Sequence, residues 1–384
     1  MRIAAGWIGH PGTQAVFTAL GNAGHRVLFV GGCVRNALLG LAVADIDIAT
    51  DALPEDVIRI AGAAGLDTIP TGMDHGTITV VAQGLAHEVT TFRRDVTTDG
   101  RHATVAFSDD IAEDAARRDF TINALYADAT GLVLDPLGGL ADLRARRVRF
   151  VGDAGARIAE DHLRILRFFR FHAIYADPEG GMDAEGLAAC AAGCDQIGRL
   201  SAERIGAEMR KLLAAPDPAP AVAAMAASGV LVQVLPGADA RALALLVHLE
   251  GEAAPRWQRR LVVLGGQDVP GRLRLSRAES TETARIRDAI GSGLTAAALG
   301  WKLGQVLAMD ALLCRGAMLE QPLPPDAGAE IARGADATLP VSAADLMPAL
   351  QGAALGARLA ELTQRWLSSD LRLSRGKLLG ELLG

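Results

Sequence analysis

The chain has 384 residues, half of them hydrophobic, and its mean hydropathy is +0.23. This apolar content excludes wholesale disorder, and the length predicts two or more packed units. The formal net charge of −7 argues, by itself, against a nucleic-acid binder. Arginine nevertheless supplies 35 of the 38 basic side chains, and its planar guanidinium group is suited to phosphates and base edges.

The four cysteines are scattered and lack the spacing of a metal site or a disulfide framework. We therefore expect reduced thiols in a cytoplasmic protein. No apolar run reaches eighteen residues and no signal-peptide pattern opens the chain, so neither membrane insertion nor secretion is expected.

Residues 26–150 contain short strand-like segments separated by Gly and Asp turns, which predicts a mixed α/β unit. Segments 76–82 and 87–92 are joined by a connection short enough for a hairpin, so we expect them to pair antiparallel. Residues 93–116 have little periodicity and are expected to form an irregular, mobile connector into a helix.

From about residue 153 the apolar positions recur three and four apart, which predicts an almost wholly helical remainder. A Pro-rich segment at 215–220 interrupts it. The expected fold class is therefore α+β, with a mixed α/β head over residues 1–150, a helical neck over 151–215 and a helical body over 216–384.

Two carboxylates are expected on one face of a strand. Asp45 and Asp47 are two residues apart, and side chains alternate along a strand, so both point the same way. Such a pair repels itself unless a cation lies between its members, and Mg²⁺ with oxygen ligands is the usual solution. Glu88, on the predicted neighbouring strand, can supply a third oxygen. These residues are the candidate catalytic and metal-binding groups of a two-metal phosphoryl transfer.

A Gly-Gly turn precedes this strand by about a dozen residues. Gly31 and Gly32 let the backbone approach a triphosphate closely, and Arg35 can reach one of its oxygens. Taken singly, the turn and the Asp-x-Asp pattern are more often an ordinary turn and a polar strand end. Their combination with an acidic strand downstream favours a nucleotide site.

The order of seven short motifs identifies a family. The chain resembles the class II nucleotidyltransferases, comprising tRNA CCA-adding enzymes and bacterial poly(A) polymerases, in GGCVRNALLG, DIDIAT, HGTITV, EVTTFR, RRDFTINAL, DPLGGLADL and EDHLRILRFFRF. This resemblance covers residues 26–215 and implies a polymerase-beta-like head. It implies template-independent addition of CCA to the 3′ end of tRNA from CTP and ATP, with Mg²⁺ and with release of pyrophosphate.

Two alternatives stay open. One is a poly(A) polymerase or an enzyme that adds only A to tRNA, with the same chemistry and a different end point. The other is a non-catalytic RNA-binding protein, which we would expect to have lost Asp45 or Asp47.

Base selection is expected on a neck helix that contains Glu160, Asp161 and Arg164. Asp161 and Arg164, three residues apart, are expected on one face of it. A carboxylate accepts from an exocyclic amine and a guanidinium donates to a ring nitrogen, so the pair matches cytosine and adenine and mismatches uracil and guanine. An exposed ion pair is the simpler interpretation, but the match to the family's base-reading motif favours the templating role.

The resemblance implies further nucleotide contacts. Arg118, Asp119 and Asn123 are candidates for the ribose and triphosphate, with Asp119 also expected to cap the following helix. Arg167 is expected to meet phosphate or brace Asp161. Asn36 stands where the family usually has Asp, a change that bears on the orientation of Arg35. Segment 95–108 corresponds to the family's mobile segment, implicated in the switch from C to A addition.

Overall fold

A computed structural model describes residues 1–99 and 102–380, with side chains except those of residue 74 and residues 95–99 and 102–105. The chain divides into two compact units. The first comprises Met1–Leu200 and Ser228–Val230, and the second comprises Ser201–Ala227 and Leu231–Gly384.

The first unit is built on a mixed seven-stranded sheet. Its strands follow the order β3-β4-β5-β2-β1-β8-β9, in which only β2 and β5 pair in parallel, and a separate two-stranded sheet pairs β6 with β7. The strands of the described residues are β1 (Val27–Val30), β2 (Ile46–Thr50), β3 (Asp67–Gly72), β4 (Thr77–Ala82), β5 (Leu85–Thr91), β6 (Arg93–Asp99), β7 (His102–Phe107), β8 (Tyr126–Ala127) and β9 (Val133–Leu134).

Strand β1 lies inside this sheet and is buried along its whole length, which explains its uninterrupted apolar sequence VLFV. The expected hairpin is confirmed, because β4 and β5 pair antiparallel from Thr77–Thr90 to Ala82–Leu85. The turn is tighter than the four-residue connection suggested by the sequence. Only Gln83 and Gly84 form it, both with positive φ, as the common two-residue hairpin turn requires.

Eight α-helices accompany these strands in the described part of the first unit. They are α1 (Pro11–Asn22), α2 (Gly32–Leu38), α3 (Pro54–Ala63), α4 (Ile111–Ala116), α5 (Gly139–Arg144), α6 (Ala154–Glu160), α7 (Leu163–Tyr175) and α8 (Ala184–Gly193). Short 3₁₀ helices span Met73–His75, Thr121–Asn123 and Cys194–Arg199. One core cluster joins Leu28 and Val30 of β1 to Phe92, Tyr126 and Val151.

The described part of the second unit is helical, apart from its loops. Its α-helices are α9 (Ala202–Leu213), α10 (Ala219–Ala227), α11 (Val230–Val234), α12 (Leu243–Glu250), α13 (Trp257–Leu264), α14 (Val269–Arg272), α15 (Arg277–Ile290), α16 (Ala296–Leu303), α17 (Gln305–Leu319), α18 (Ala327–Ala335), α19 (Gly352–Ser368) and α20 (Arg375–Leu379), with Val230 itself assigned to the first unit. Arg259 and Arg260 are fully buried in it and pair with Glu250 and Asp310. Each buried charge is thus compensated, as low-dielectric surroundings require.

The α+β fold class is confirmed, and so is the helix expected at the end of residues 93–116, but the expectation of an irregular connector before that helix is wrong. Strands β6 and β7 pair antiparallel from Arg93–Phe107 to Asp99–His102, and α4 follows. Residues 100 and 101 of the segment linked to the switch from C to A addition lie outside the described residues. Within residues 1–99 and 102–380, no helix is long and apolar enough to cross a membrane.

Candidate active site

The Gly-Gly turn connects β1 to α2 at a point of close packing. Gly31 has φ +68°, a left-handed conformation that glycine adopts without strain. A Cβ at Gly31 would lie 3.4 Å from Arg118 Nη1, and one at Gly32 would lie 3.8 Å from Arg35 Nη2 and 3.9 Å from Asp47 Oδ2. The turn therefore brings the backbone close to two guanidinium groups and one carboxylate.

The acidic residues gather on the neighbouring strands. Asp47 lies on β2 directly beside Glu88 of the parallel strand β5, and exposed Asp45 immediately precedes β2, one residue outside the strand predicted to contain it. Burial, with the charges of Glu88 and Asp45, raises the pKa of Asp47 to about 6. The carboxylate form of Asp47 is therefore less stable than that of an ordinary Asp, and a nearby cation would offset this cost.

These carboxylates form the donor set that a divalent cation prefers. In the part of the chain that the structure describes, however, no group of three or more His, Cys, Asp or Glu side chains is arranged to hold a metal ion. The fit therefore rests on Asp45 and Asp47. Glu88 is exposed and in register with Asp47, and its role as a third ligand stays a prediction.

A hydrogen-bond chain links the neck helix α7 to α2. Arg167 donates to Asp119 Oδ2 (Nε to Oδ2, 2.7 Å), and the Asn123 amide donates to Asp119 Oδ1 (2.8 Å). Asn123 Oδ1 in turn accepts from Arg35. Burial raises the pKa of Asp119, but the charge of Arg167 and these hydrogen bonds outweigh it and hold the pKa below its usual value. The structure thus brings together four of the predicted nucleotide-binding residues.

Asp119 does not cap a regular helix as expected. Its Oδ1 accepts from the Phe120 N–H (2.9 Å), and a single 3₁₀ turn, Thr121–Asn123, follows. Its carboxylate is instead shared between the backbone, the Asn123 amide and the Arg167 guanidinium.

Arg118 is held by two partners that the sequence did not indicate. Its Nη2 donates to Asp114 Oδ2 (2.8 Å) and its Nε to the Tyr126 hydroxyl (3.1 Å), which itself donates to Asp114 (2.7 Å). Burial raises the pKa of Asp114, but Arg118, Arg117 and the Tyr126 hydroxyl together hold it well below the usual range. Asp114 and Tyr126 come from separate elements, so only the tertiary fold brings them to Arg118.

The predicted base-selecting residues are placed differently from the expectation. Helix α6 ends at Glu160, and Asp161 adopts an extended conformation (φ −152°, ψ 106°) before α7 begins at Leu163. The prediction of one continuous helix with Asp161 and Arg164 on a shared face is therefore wrong. Asp161 Oδ1 accepts from the Leu163 N–H (3.1 Å), a local turn that competes with continuation of the helix.

Arg164 makes several contacts at the junction of α6 and α7. It pairs with Glu160 and donates to the carbonyls of Arg157 (2.8 Å) and Arg117 (3.1 Å). Arg157 pairs with the same Glu160 and donates to the Ala116 carbonyl (3.1 Å). The bonds to the Arg117 and Ala116 carbonyls satisfy acceptors at the C-terminal end of α4, which α4 itself leaves unpaired.

Family models and known proteins match this chain. Residues 27–149 match the poly(A) polymerase head domain, and residues 182–241 match the probable RNA and SrmB-binding site of polymerase A. The chain is 42% identical over 203 residues to the mouse mitochondrial CCA tRNA nucleotidyltransferase 1, covering 53% of this chain and 47% of that protein. It is 40% identical over 224 residues to the Geobacillus thermodenitrificans CCA-adding enzyme, covering 58% and 54%. The chain thus spans about half the length of the curated relatives it matches.

Solved structures match over more of the chain. The Bacillus stearothermophilus CCA-adding enzyme in complex with CTP has a TM-score of 0.73 at 30% identity, covering 94% of both chains. The Thermotoga maritima CCA-adding enzyme complexed with tRNA has a TM-score of 0.68 at 19% identity, covering 96% of this chain and 93% of that one, and shows the shared fold alone. Because the Bacillus stearothermophilus enzyme is matched at 30% identity over 94% of its length, and the head-domain model matches the segment that contains Asp45, Asp47 and Arg118, the chain belongs to the nucleotidyltransferase family of CCA-adding enzymes and bacterial poly(A) polymerases.

Proposed function

We propose that this protein adds C, C and A to the 3′ end of tRNA, using CTP and ATP and releasing pyrophosphate. The observation that carries the proposal is the convergence of Asp47, Arg35 and Arg118 on the Gly31–Gly32 turn. This arrangement offers carboxylates for a cation and guanidinium groups for phosphates within one small region. In the reaction, the terminal 3′-oxygen of the tRNA bonds to the α-phosphorus, and the bond from that phosphorus to pyrophosphate breaks.

Members of this family use a divalent metal ion, and we propose Mg²⁺ held by Asp45 and Asp47. When two such ions are bound, one would lower the pKa of the attacking hydroxyl and the other would neutralise charge on the triphosphate. The raised pKa of Asp47 supports this role, because its carboxylate gains most from a nearby cation.

We assign a role to each of the predicted nucleotide-binding residues. Gly31 and Gly32 admit the triphosphate, while Arg35 and Arg118 donate to its oxygens. Asp119, Asn123 and Arg167 hold Arg35 and the ribose in place. We assign base choice to Asp161 and Arg164, and Arg164 must exchange one of its present carbonyl partners for the base edge.

The proposed division of labour follows the predicted segments. Residues 1–150 carry the phosphoryl transfer, residues 151–215 choose the base, and residues 216–384 bind tRNA by shape and through scattered arginines. We place the reaction in the cytoplasm, since all four cysteines are free thiols.

The decisive experiment supplies tRNA transcripts that end at the discriminator base, at C and at CC. Each is incubated with Mg²⁺ and single or mixed nucleotides, and the products are resolved on a sequencing gel. We expect each transcript to be completed to CCA and extended no further. Unlimited A tails from ATP alone would establish a poly(A) polymerase, and addition of A only to the CC transcript would establish an A-adding enzyme.

A further inference from the structure

The Arg35 guanidinium is buried, and none of its described hydrogen bonds goes to a carboxylate, although Asp119 and Asp47 attract it electrostatically. Arg35 is 6% exposed, and its described hydrogen bonds all go to neutral groups: Asn36 Oδ1 (2.9 Å from Nη2), Asn123 Oδ1 and the Tyr175 hydroxyl. Burial lowers the pKa of Arg35, which reflects the cost of keeping this charge away from water. A buried cation whose hydrogen bonds all go to neutral groups is suited to an anionic ligand.

Tyr175 makes two different contacts with this group. Its hydroxyl accepts from Arg35 Nη2 (2.7 Å), and its ring lies beneath the guanidinium, with 4.0 Å from Cζ to the ring centroid. Phe171, one turn earlier on α7, adds a second ring at 5.1 Å. A planar cation held by a hydroxyl at its edge and aromatic rings at its face has little freedom to rotate.

The orientation that results is directed at the candidate phosphate site. The same Nη2 that donates to Tyr175 lies beside Gly32, on the side where Asp47 Oδ2 also approaches. Arg167 and Arg170 also lie over the Phe171 ring, at 5.2 and 4.7 Å, so positive charge is concentrated here. An Arg35 that turned away from Gly32 would lose its reach to a bound triphosphate.

We propose that Tyr175 is a positioning residue for Arg35 and supports binding of the triphosphate common to CTP and ATP, without a part in choosing the base. The phosphate-binding role of Arg35 rests on the proposed function. The role of Tyr175 rests on its own contacts, and it assigns to α7 a task in the head that is separate from base recognition.

The test compares Tyr175→Phe in two backgrounds, the wild type and Arg35→Ala. Tyr175→Phe keeps the ring and removes only the hydroxyl, and a hydrogen bond to a charged group accounts for roughly a 10-fold change in affinity. We expect CTP and ATP to bind about 10-fold more weakly by calorimetry and their KM values to rise by a similar factor. The affinity for cytidine, which has no phosphate, should not change. In the Arg35→Ala background the same substitution should have no further effect on CTP.

Each other outcome counts against the inference. If Tyr175→Phe weakens CTP binding equally in both backgrounds, or weakens cytidine binding as much as CTP binding, Tyr175 supports the structure of the protein in general and does not position Arg35. If CTP affinity is unchanged, the contact is irrelevant to binding. Should Tyr175→Phe unfold, Tyr175→Leu is compared in the same two backgrounds, since it removes the hydroxyl and the ring contact with Arg35 together. A wild-type protein that binds CTP but adds nothing to tRNA refutes the proposed function and leaves this test valid.

Discussion

Asp47 of β2 lies directly opposite Glu88 of β5, so two carboxylates share one face of the only parallel strand pair in the described residues. Like charges at such positions destabilise a sheet by ~0.2–1 kcal/mol. The fold tolerates this repulsion near the start of β2, beside Arg35 and the Gly-Gly turn. A cation bound between the two carboxylates would remove this repulsion, and its effect on stability can be measured.

Mg²⁺ should stabilise the protein through Asp47. After treatment with a chelator, added Mg²⁺ should raise the thermal midpoint of the wild type and leave that of Asp47→Asn unchanged, while Asp47→Ala should abolish nucleotide incorporation.

Glu88→Gln should be slightly more stable than the wild type without metal, because the repulsion between Glu88 and Asp47 is gone. A Mg²⁺ requirement that rises ~10-fold in Glu88→Gln would establish Glu88 as part of the metal site. An unchanged Mg²⁺ requirement in Glu88→Gln would show that Glu88 is not part of the metal site.

Arg164→Ala should relax base choice. The guanidinium is the donor that suits cytosine and adenine and opposes a ring N–H, so its loss should raise UTP and GTP incorporation relative to CTP by about 10-fold. Arg157→Ala is the matched control, since Arg157 pairs with the same Glu160 and caps the same helix end. Both variants lose contacts to α4, but only Arg164→Ala should lose selectivity. Equal selectivity in Arg164→Ala and the wild type would refute the templating role.

Asp114 should give the protein a defined acid sensitivity. Its folded-state pKa lies well below the unfolded value, so its carboxylate stabilises the fold above about pH 4 and this contribution disappears as the pH falls further. Asp114→Asn leaves Arg118 without its buried counter-charge and should cost ~3 kcal/mol or more at pH 7. The difference in unfolding free energy between wild type and variant, measured by urea denaturation, should shrink between pH 5 and pH 2. A difference that is constant over this range would contradict the assignment.

Sequence patterns predicted the structural features that depend on the spacing of nearby residues. The hairpin of β4 and β5 and the helical remainder follow from strand alternation, turn chemistry and helical periodicity. The parallel pairing that places Asp47 beside Glu88 joins segments far apart in the chain, and no local pattern contains it. The break at Asp161 was missed because its neighbours keep a helical apolar pattern, while its own side chain bonds the Leu163 N–H in a turn that competes with the helix. The contacts of Tyr175 with Arg35 and of Tyr126 with Arg118 join residues far apart in the chain, and no local pattern contains them.

The stability of the second unit should fall when a single methyl group is added where α16 and α18 cross. Gly334 of α18 lies against α16, where an added Cβ would lie 1.8 Å from the Ala297 carbonyl oxygen. Gly334→Ala must therefore separate two backbones and should cost ~1–3 kcal/mol of unfolding free energy. Gly356, in the exposed interior of α19, has nothing within 4 Å of an added Cβ, so Gly356→Ala should stabilise by ~0.5–1 kcal/mol through helix propensity alone. Opposite shifts of the two midpoints in urea would confirm the close crossing. Parallel shifts would show that α16 and α18 are not packed backbone to backbone.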